Sequence, residues 1–245
     1  KTILIMSDYF LFVGLPYAVL LIMLIGTISR YMNKGFTISS LSTQFLEGRS
    51  LFWGSQPFHW GLMFLFFGHL VAFLFPKSVI AFNAVPVRLL ILEVTAFAFG
   101  IATLFGITML VLRRLRNKRV QMVTSKMDML VFLTLLTQII SGLYIAYFHR
   151  YGSTWFAASL TPYLRSIFAF NPDMSVIATM PLAVKIHVIS AFAIVGLIPF
   201  SRFMHFLVYP IAYIWRPYQR VIWYWNKNTI RKSDKWVKGV RSKNN

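Results

Sequence analysis

Five long apolar runs dominate the chain, and each is long enough to cross a lipid bilayer. A hydrocarbon core of about 30 Å needs roughly 20 apolar residues in a helix. In lipid, the backbone N–H and C=O groups must be satisfied inside the segment, so such runs predict helices. We therefore expect an all-α integral membrane protein, a five-helix bundle with spans at about 4–28, 58–75, 89–112, 128–148 and 181–209.

The charge of the chain lies almost entirely in the links between these runs. The 245 residues include 25 Lys and Arg against six Asp and Glu, a net charge of +19. Because the charge is confined to short stretches between apolar runs, we expect contact with membrane lipid and no nucleic-acid partner. We expect residues 1–225 to form one membrane domain and residues 226–245 a basic cytoplasmic tail.

The basic links also predict how the chain is oriented. With five spans, the richest stretches, at 30–49, 113–126 and beyond 209, all fall on one side. The positive-inside rule makes that side cytoplasmic. This predicts a multi-pass protein of the cell membrane, with the N-terminus outside and the C-terminus inside.

Four histidines lie inside two of the apolar runs, where polar groups are costly and usually functional. His59 and His69 share the second run, and His187 and His205 share the fifth. Two ligands of one metal on one helix stand about three or four residues apart. These pairs are separated by roughly 15 and 27 Å of helix, so each histidine needs a partner on the other run.

Two non-covalent haems b, each with two histidine ligands, would use all four residues. The chain has no cysteine, which excludes covalent haem and iron–sulfur ligation. Antiparallel spans pair His59 with His205 and His69 with His187. The two spacings differ by about 12 Å, and we expect a bend at Pro199 to absorb part of this difference. Neighbouring glycines are expected to leave room for a flat ring: Gly61, Gly68 and Gly196.

Other interpretations of these histidines stay open at this point. A lone histidine in a span is often a hydrogen-bonded packing residue. Several histidines in spans also suit a transporter with a histidine proton relay. The mid-span Gln138 is expected to form an interhelical hydrogen bond.

Two stretches carry a family resemblance: PFHWGLMFLFFGH at 57–69 and KIHVISAFAIVGLIPFSRFMH at 185–205. They resemble the membrane cytochrome b subunit, or gamma subunit, of respiratory nitrate reductase, most specifically in the Pro-Phe-Ser-Arg-x-x-His run. Further matches cover about residues 10–215 and include Asp128, Gln138, Gly142 and Arg113-Arg114. The module also resembles cytochrome b subunits of related sulfite-reducing, heterodisulfide-reductase-linked or nitrite-oxidising complexes.

The resemblance implies an electron-transfer subunit that oxidises quinol near the outer face and does not itself bind nitrate. Electrons would pass through two haems to an iron–sulfur subunit and then to a molybdenum catalytic subunit. By position, His69 and His187 would hold the distal haem, and His59 and His205 the proximal haem.

The quinol site is expected beside the distal haem, near Gly68 and His69. Lys185 lies at a similar depth, and Arg88 opens the third run, where it is a candidate for quinol or propionate binding or a plain interfacial cation. Glu93 is a candidate acceptor for a quinol proton, or a partner for a nearby cation. At the inner end, Arg202 is expected to contact a propionate of the proximal haem.

Overall fold

The computed structural model describes residues 7–38, 43–44 and 46–208 of the chain. These residues are largely helical, form no strand among themselves, and include five helices long and apolar enough to cross a membrane. The predicted all-α fold with five spans is confirmed. The predicted tail, 226–245, lies outside the described residues. The spans are α1 (Ser7–Lys34), α2 (Arg49–Leu74), α3 (Pro86–Arg116), α4 (Lys126–Phe148) and α5 (Leu182–Leu197).

Local sequence explains where the third and fourth spans begin. Pro86 starts α3, where a fixed φ is favourable and no N–H donor is needed. Ser125 caps α4: its hydroxyl accepts from the Asp128 N–H, and the Asp128 carboxylate accepts from the Ser125 N–H. This reciprocal capping box satisfies two donors that the helix itself leaves unpaired.

Small residues bring α2 and α3 into close contact. A Cβ added to Gly61 would overlap the Thr103 hydroxyl, and one added to Gly106 would overlap the backbone nitrogen of Phe58. Such close backbone approach is typical of helix pairs in membranes. The expectation that Gly61 leaves room for a flat ring is therefore wrong, and Gly196 likewise packs against Val19.

Contacts between distant segments define two ends of the bundle. At the end that we call the basic end, the buried Arg113 side chain reaches Glu47 at 2.6 Å, and Arg202 pairs with Asp128. At the opposite end, called the loop end, the Tyr163 hydroxyl donates to the Phe12 carbonyl at 2.7 Å.

Short helices between α4 and α5 close the loop end. They include Gly152–Trp155, Thr161–Phe168 and Ser175–Thr179. Tyr163, Ile167 and Ile177 are buried there against α1 and α5. This connection therefore contributes to the core of the described residues.

The sequence predicted a fifth span at 181–209, but this span is not one continuous helix. The α-helix ends at Leu197, and a 3-10 turn, Ile198–Phe200, follows. Ser201 is extended, with φ −113° and ψ −177°, and helix resumes only at Met204. Proline lacks the N–H donor that a continuing helix would use, and the bend expected at Pro199 is confirmed. His205 consequently lies beyond a break in the span.

Candidate functional site

The two histidines of α2 have the same local arrangement. Nδ1 of His59 lies 2.7 Å from the Ser55 carbonyl, and Nδ1 of His69 lies 2.8 Å from the Leu65 carbonyl. A ring that donates through Nδ1–H keeps its lone pair on Nε2, which is the arrangement of a metal-binding histidine. Both side chains are exposed on the surface of α2.

His205 has a similar arrangement on a different support. Its Nδ1 lies 2.6 Å from the carbonyl of Arg202, inside the break of the fifth span. Within the described residues, the Nε2 atoms of His59, His69 and His205 have no hydrogen-bond partner. In three of the four predicted ligands, the Nε2 lone pair is therefore available to bind a metal.

His187 is held against α4. Its Nδ1 lies 3.0 Å from the Gln138 carbonyl, and its Nε2 lies 3.0 Å from the Gln138 amide nitrogen. The Ser141 hydroxyl is 3.0 Å from the same Nδ1. The interhelical hydrogen bond predicted for Gln138 is confirmed. To bind a metal through Nε2, this ring has to exchange the Gln138 amide for the metal.

Gly142 makes room for the His187 ring, because a Cβ there would lie 2.9 Å from its Cε1. Sequence reasoning assigned neither Gly142 nor Ser141 to the site. Ser141 and Gly142 follow Gln138 by three and four residues, so all three lie on one face of α4. This spacing could have indicated from the sequence that they belong to the same site as Gln138.

The structure brings one predicted pair of histidines together. The ring centres of His69 and His187 lie 6.4 Å apart, with 37° between the ring planes. Two imidazoles on opposite sides of one metal, each with a bond of about 2 Å, have ring centres roughly 6 Å apart. Within the described residues, no comparable ring contact joins His59 and His205, the second predicted pair, so their pairing stays a prediction.

The donor set fits haem better than a site built from protein ligands alone. Among the described residues, no group of three or more His, Cys, Asp or Glu could hold a metal ion. A pair of imidazoles completes the coordination of an iron that already has four porphyrin nitrogens. His59, His69 and His205 fit this role as they stand, and His187 fits after release of Gln138.

Gly68 and His69 border open space. No atom lies within 4 Å of the position that a Cβ on Gly68 would take. An exposed imidazole in an apolar span is costly unless another group covers it. This part of α2 can therefore accept a flat, largely apolar molecule without displacing protein atoms.

The three other quinol-site candidates all contact protein groups. Lys185 Nζ lies 3.1 Å from the Asp8 carboxylate, and the exposed Arg88 lies over the Phe82 ring. Glu93 Oε1 accepts from the Ser153 hydroxyl at 2.6 Å and from its backbone N–H at 3.0 Å. Lys185 and Glu93 therefore also help to fix the loop end.

Arg202, expected to contact a propionate, pairs with a carboxylate of the chain. Its Nε lies 2.9 Å from Oδ1 of the buried Asp128, and its Nη2 lies 2.9 Å from Oδ2. Arg114 lies 3.6 Å from the same carboxylate. Two cations facing one anion leave a net positive charge at the basic end.

Comparison with known proteins identifies similar chains over nearly the whole length. The family model described as nitrate reductase gamma subunit matches residues 8–224. The nitrate reductase gamma chain of Bacillus subtilis is 34% identical over 217 residues, covering 87% of this chain and 97% of that one. The respiratory nitrate reductase 2 gamma chain of Escherichia coli is 30% identical over 209 residues, covering 84% and 92%.

A nitrate reductase-like protein of Mycobacterium tuberculosis, NarX, is 30% identical over 216 residues. The match covers 83% of this chain but 32% of that protein. The similarity to NarX is therefore to one part of a longer chain.

Proposed function

The chain belongs to the nitrate reductase gamma subunit family, and on that premise we propose that it oxidises quinol and passes the electrons through two bis-histidine haems b. It is a membrane subunit that serves electron transfer in a nitrate reductase complex. His69 and His187 hold the haem nearer the loop end, and His59 and His205 hold the one nearer the basic end.

The approach of His69 and His187 carries this proposal. Their ring centres are 6.4 Å apart, although they come from helices far apart in sequence. Haem, when bound, supplies a one-electron acceptor. The protein supplies the four imidazoles and an apolar setting, and it fixes the tautomer of His59, His69 and His205 through Nδ1.

Quinol binds beside Gly68 and His69 in this proposal. The open space at Gly68 admits a planar ring, and the surrounding apolar surface of α2 suits an isoprenoid tail. In this proposal Glu93 receives a proton at the loop end, and the hydrogen bond that its carboxylate accepts from the Ser153 hydroxyl supports a fixed orientation. Lys185, whose charge is balanced by Asp8, orients a quinol oxygen.

The positive-inside rule places the basic end in the cytoplasm and the N-terminus outside. Protons from quinol then leave on the outer side while electrons move inward. This separation of charge is worth about 2.3 kcal/mol per charge for each 100 mV. The electrons pass to an iron–sulfur subunit at the basic end, and a molybdenum subunit binds nitrate.

Visible spectra of the purified complex test the haem assignment. We expect a b-type α band in the reduced-minus-oxidised spectrum. His59→Ala and His205→Ala should each remove one haem, while His69→Ala and His187→Ala remove the other. Spectra unchanged in all four variants would overturn the assignment and favour a histidine proton relay.

Gly68→Ala tests the quinol site, because the new methyl group meets no protein atom within 4 Å. We expect quinol-driven haem reduction to fall at least tenfold while both haems remain. Reduction by dithionite, which bypasses the quinol site, is the control and should keep its wild-type extent. Quinol-driven haem reduction at the wild-type rate in Gly68→Ala would mean that quinol does not bind beside Gly68.

Purification through a tag on this chain tests the partners. We expect an iron–sulfur protein and a molybdenum protein to elute with it from mild detergent. If neither accompanies a chain that retains both haems, the proposed complex is wrong while the haem assignment stands.

A further inference from the structure

The turn that carries His205 is not oriented by a continuous helix. His59 and His69 bond to carbonyls four residues earlier on the regular helix α2. The His205 ring instead bonds to the carbonyl of Arg202, one residue after the extended Ser201. The orientation of this ring therefore depends on whatever fixes Arg202.

Asp128 fixes Arg202 through a two-point ion pair. The guanidinium places Nε and Nη2 each 2.9 Å from a different carboxylate oxygen, and Nη2 also donates to the Val123 carbonyl at 3.1 Å. A planar fork on a carboxylate restrains both distance and angle, which a single ammonium group does not do. Asp128 is 8% exposed, so the pair is largely shielded from water.

Both sides of this ion pair are attached to helices: Asp128 lies on α4, and the turn that carries Arg202 is bonded to α1. Asp128 belongs to the capping box of α4, where its Oδ2 accepts from the Ser125 N–H at 3.0 Å. On the other side of the break, Arg30 of α1 donates to the carbonyls of Pro199 and Ser201, both at 2.8 Å. The turn is thus clamped between α1 and α4.

We propose that Asp128 is a positioning residue for the haem ligand His205. It holds the Arg202 side chain, the Arg202 carbonyl holds Nδ1 of His205, and the plane of the imidazole follows. The inference rests on the proposed ligation of one haem by His205. Arg202→Lys should therefore disturb the haem even though it retains the positive charge.

The experiment uses the whole complex in membranes, with Asp128→Asn and Arg202→Lys as test variants. Electron paramagnetic resonance of the oxidised low-spin haems reports the angle between the two imidazole planes of each. We expect one haem to lose its wild-type signal in both variants, by a shifted signal or by loss of that haem, while the other signal is unchanged. Because Arg202→Lys preserves charge, a purely electrostatic effect does not give this result.

Ser125→Ala is the matched control. It removes the hydroxyl cap of α4 but leaves the Asp128 carboxylate and Arg202 in place, so both haem signals should stay as in the wild type. Wild-type signals in Asp128→Asn and Arg202→Lys, or loss of both haems together, would overturn the proposal.

His205→Ala separates this inference from the proposed function. If that variant keeps both haem signals, His205 is not a ligand, and the proposed haem assignment fails first. If it loses one haem while Asp128→Asn and Arg202→Lys match the wild type, the assignment stands and the positioning role of Asp128 is wrong.

Discussion

At the scale of single residues, the four histidines differ in the hydrogen-bond partners of their ring nitrogens. Nδ1 of His59, His69 and His205 is hydrogen-bonded to a backbone carbonyl within four residues, and within the described residues their Nε2 atoms have no hydrogen-bond partner. His187 has both nitrogens engaged by Gln138 of another helix. Its position is consequently the one most sensitive to changes on α4.

Gly142→Ala should displace the His187 ring. The added Cβ would lie 2.9 Å from Cε1 of that ring, which is closer than packed atoms tolerate. We expect the haem assigned to His69 and His187 to be bound less tightly, with reduced occupancy in the purified complex, and overpacking to cost about 1–3 kcal/mol.

Gly14→Ala provides the comparison for this variant, because its Cβ would meet Phe10 at an ordinary 3.7 Å. Haem content should match the wild type in Gly14→Ala. Equal haem content in Gly142→Ala would show that the ring does not need this space.

Glu47→Gln should change how stability depends on pH. Burial opposes ionisation of Glu47, but hydrogen bonds from Ser50 and Arg113 prevail and lower its pKa below 4.5. A pKa lowered by folding stabilises the protein above the unfolded pKa, and this contribution is lost as pH falls through the folded pKa. We expect Glu47→Gln to unfold at lower temperature than the wild type at pH 7.

The difference in unfolding temperature should shrink as the pH is lowered below 4.5, the ordinary pKa of the residue. Melting curves in detergent at a series of pH values measure it. A constant difference across that range would mean that the charge of Glu47 contributes nothing to the Arg113 contact.

At the scale of helices, α2 and α3 are joined by small residues. Gly54 and Gly106 place the two backbones in contact, and Gly61 accepts the Thr103 side chain. In lipid there is no hydrophobic drive between helices, so close packing of this kind supplies much of the association. The histidines of α2 are held in place by this contact with α3.

Gly106→Ala should separate the two helices. Its Cβ would lie 2.6 Å from the Gly54 carbonyl oxygen and 2.7 Å from the Phe58 Cβ, atoms that cannot move without the helix. We expect a loss of about 1–3 kcal/mol in stability, measured by denaturation in mixed micelles.

Gly35→Ala serves as the control, since no atom lies within 4 Å of its added Cβ and its φ is −53°. It should unfold as the wild type does. Equal stability of Gly106→Ala and Gly35→Ala would rule out a tight α2–α3 contact.

The five helices and the approach of His69 to His187 could be predicted from the sequence, for different reasons. Apolar length predicts spans because lipid leaves the backbone no alternative, and antiparallel direction pairs His69 with His187. The end of α5 at Leu197 was less accessible, because it depends on Arg30 of a distant helix taking the freed carbonyls of Pro199 and Ser201. The role of Gly61 was missed because a glycine can face a ligand or another helix, and sequence alone does not distinguish them.

At the scale of the whole molecule, charge and contacts agree on the two ends of the bundle. Four arginines of the basic end contact carboxylates or carbonyls of neighbouring segments: Arg30, Arg113, Arg114 and Arg202. At the loop end, Arg165 donates to the carbonyls of Phe73 and Leu74 at the end of α2. Each end is therefore a connected structure.

Reporter fusions should confirm the orientation expected from the basic links. A reporter active only outside the cytoplasm should be active after Ala84 and Asn171, both at the loop end, and silent after Asn117. A reporter that fluoresces only in the cytoplasm should give the reverse pattern. Activity outside after Asn117 would contradict the positive-inside assignment.

The clamped turn around Ser201 has a consequence for biogenesis. His59 and His69 acquire their ring orientation as soon as α2 forms, because their acceptors are on the same helix. His205 acquires its orientation only when α1, α4 and the last span have met, through Arg30, Asp128 and Arg202. The proposed haem ligand that is translated last is thus also the one whose orientation depends on contacts among three membrane spans.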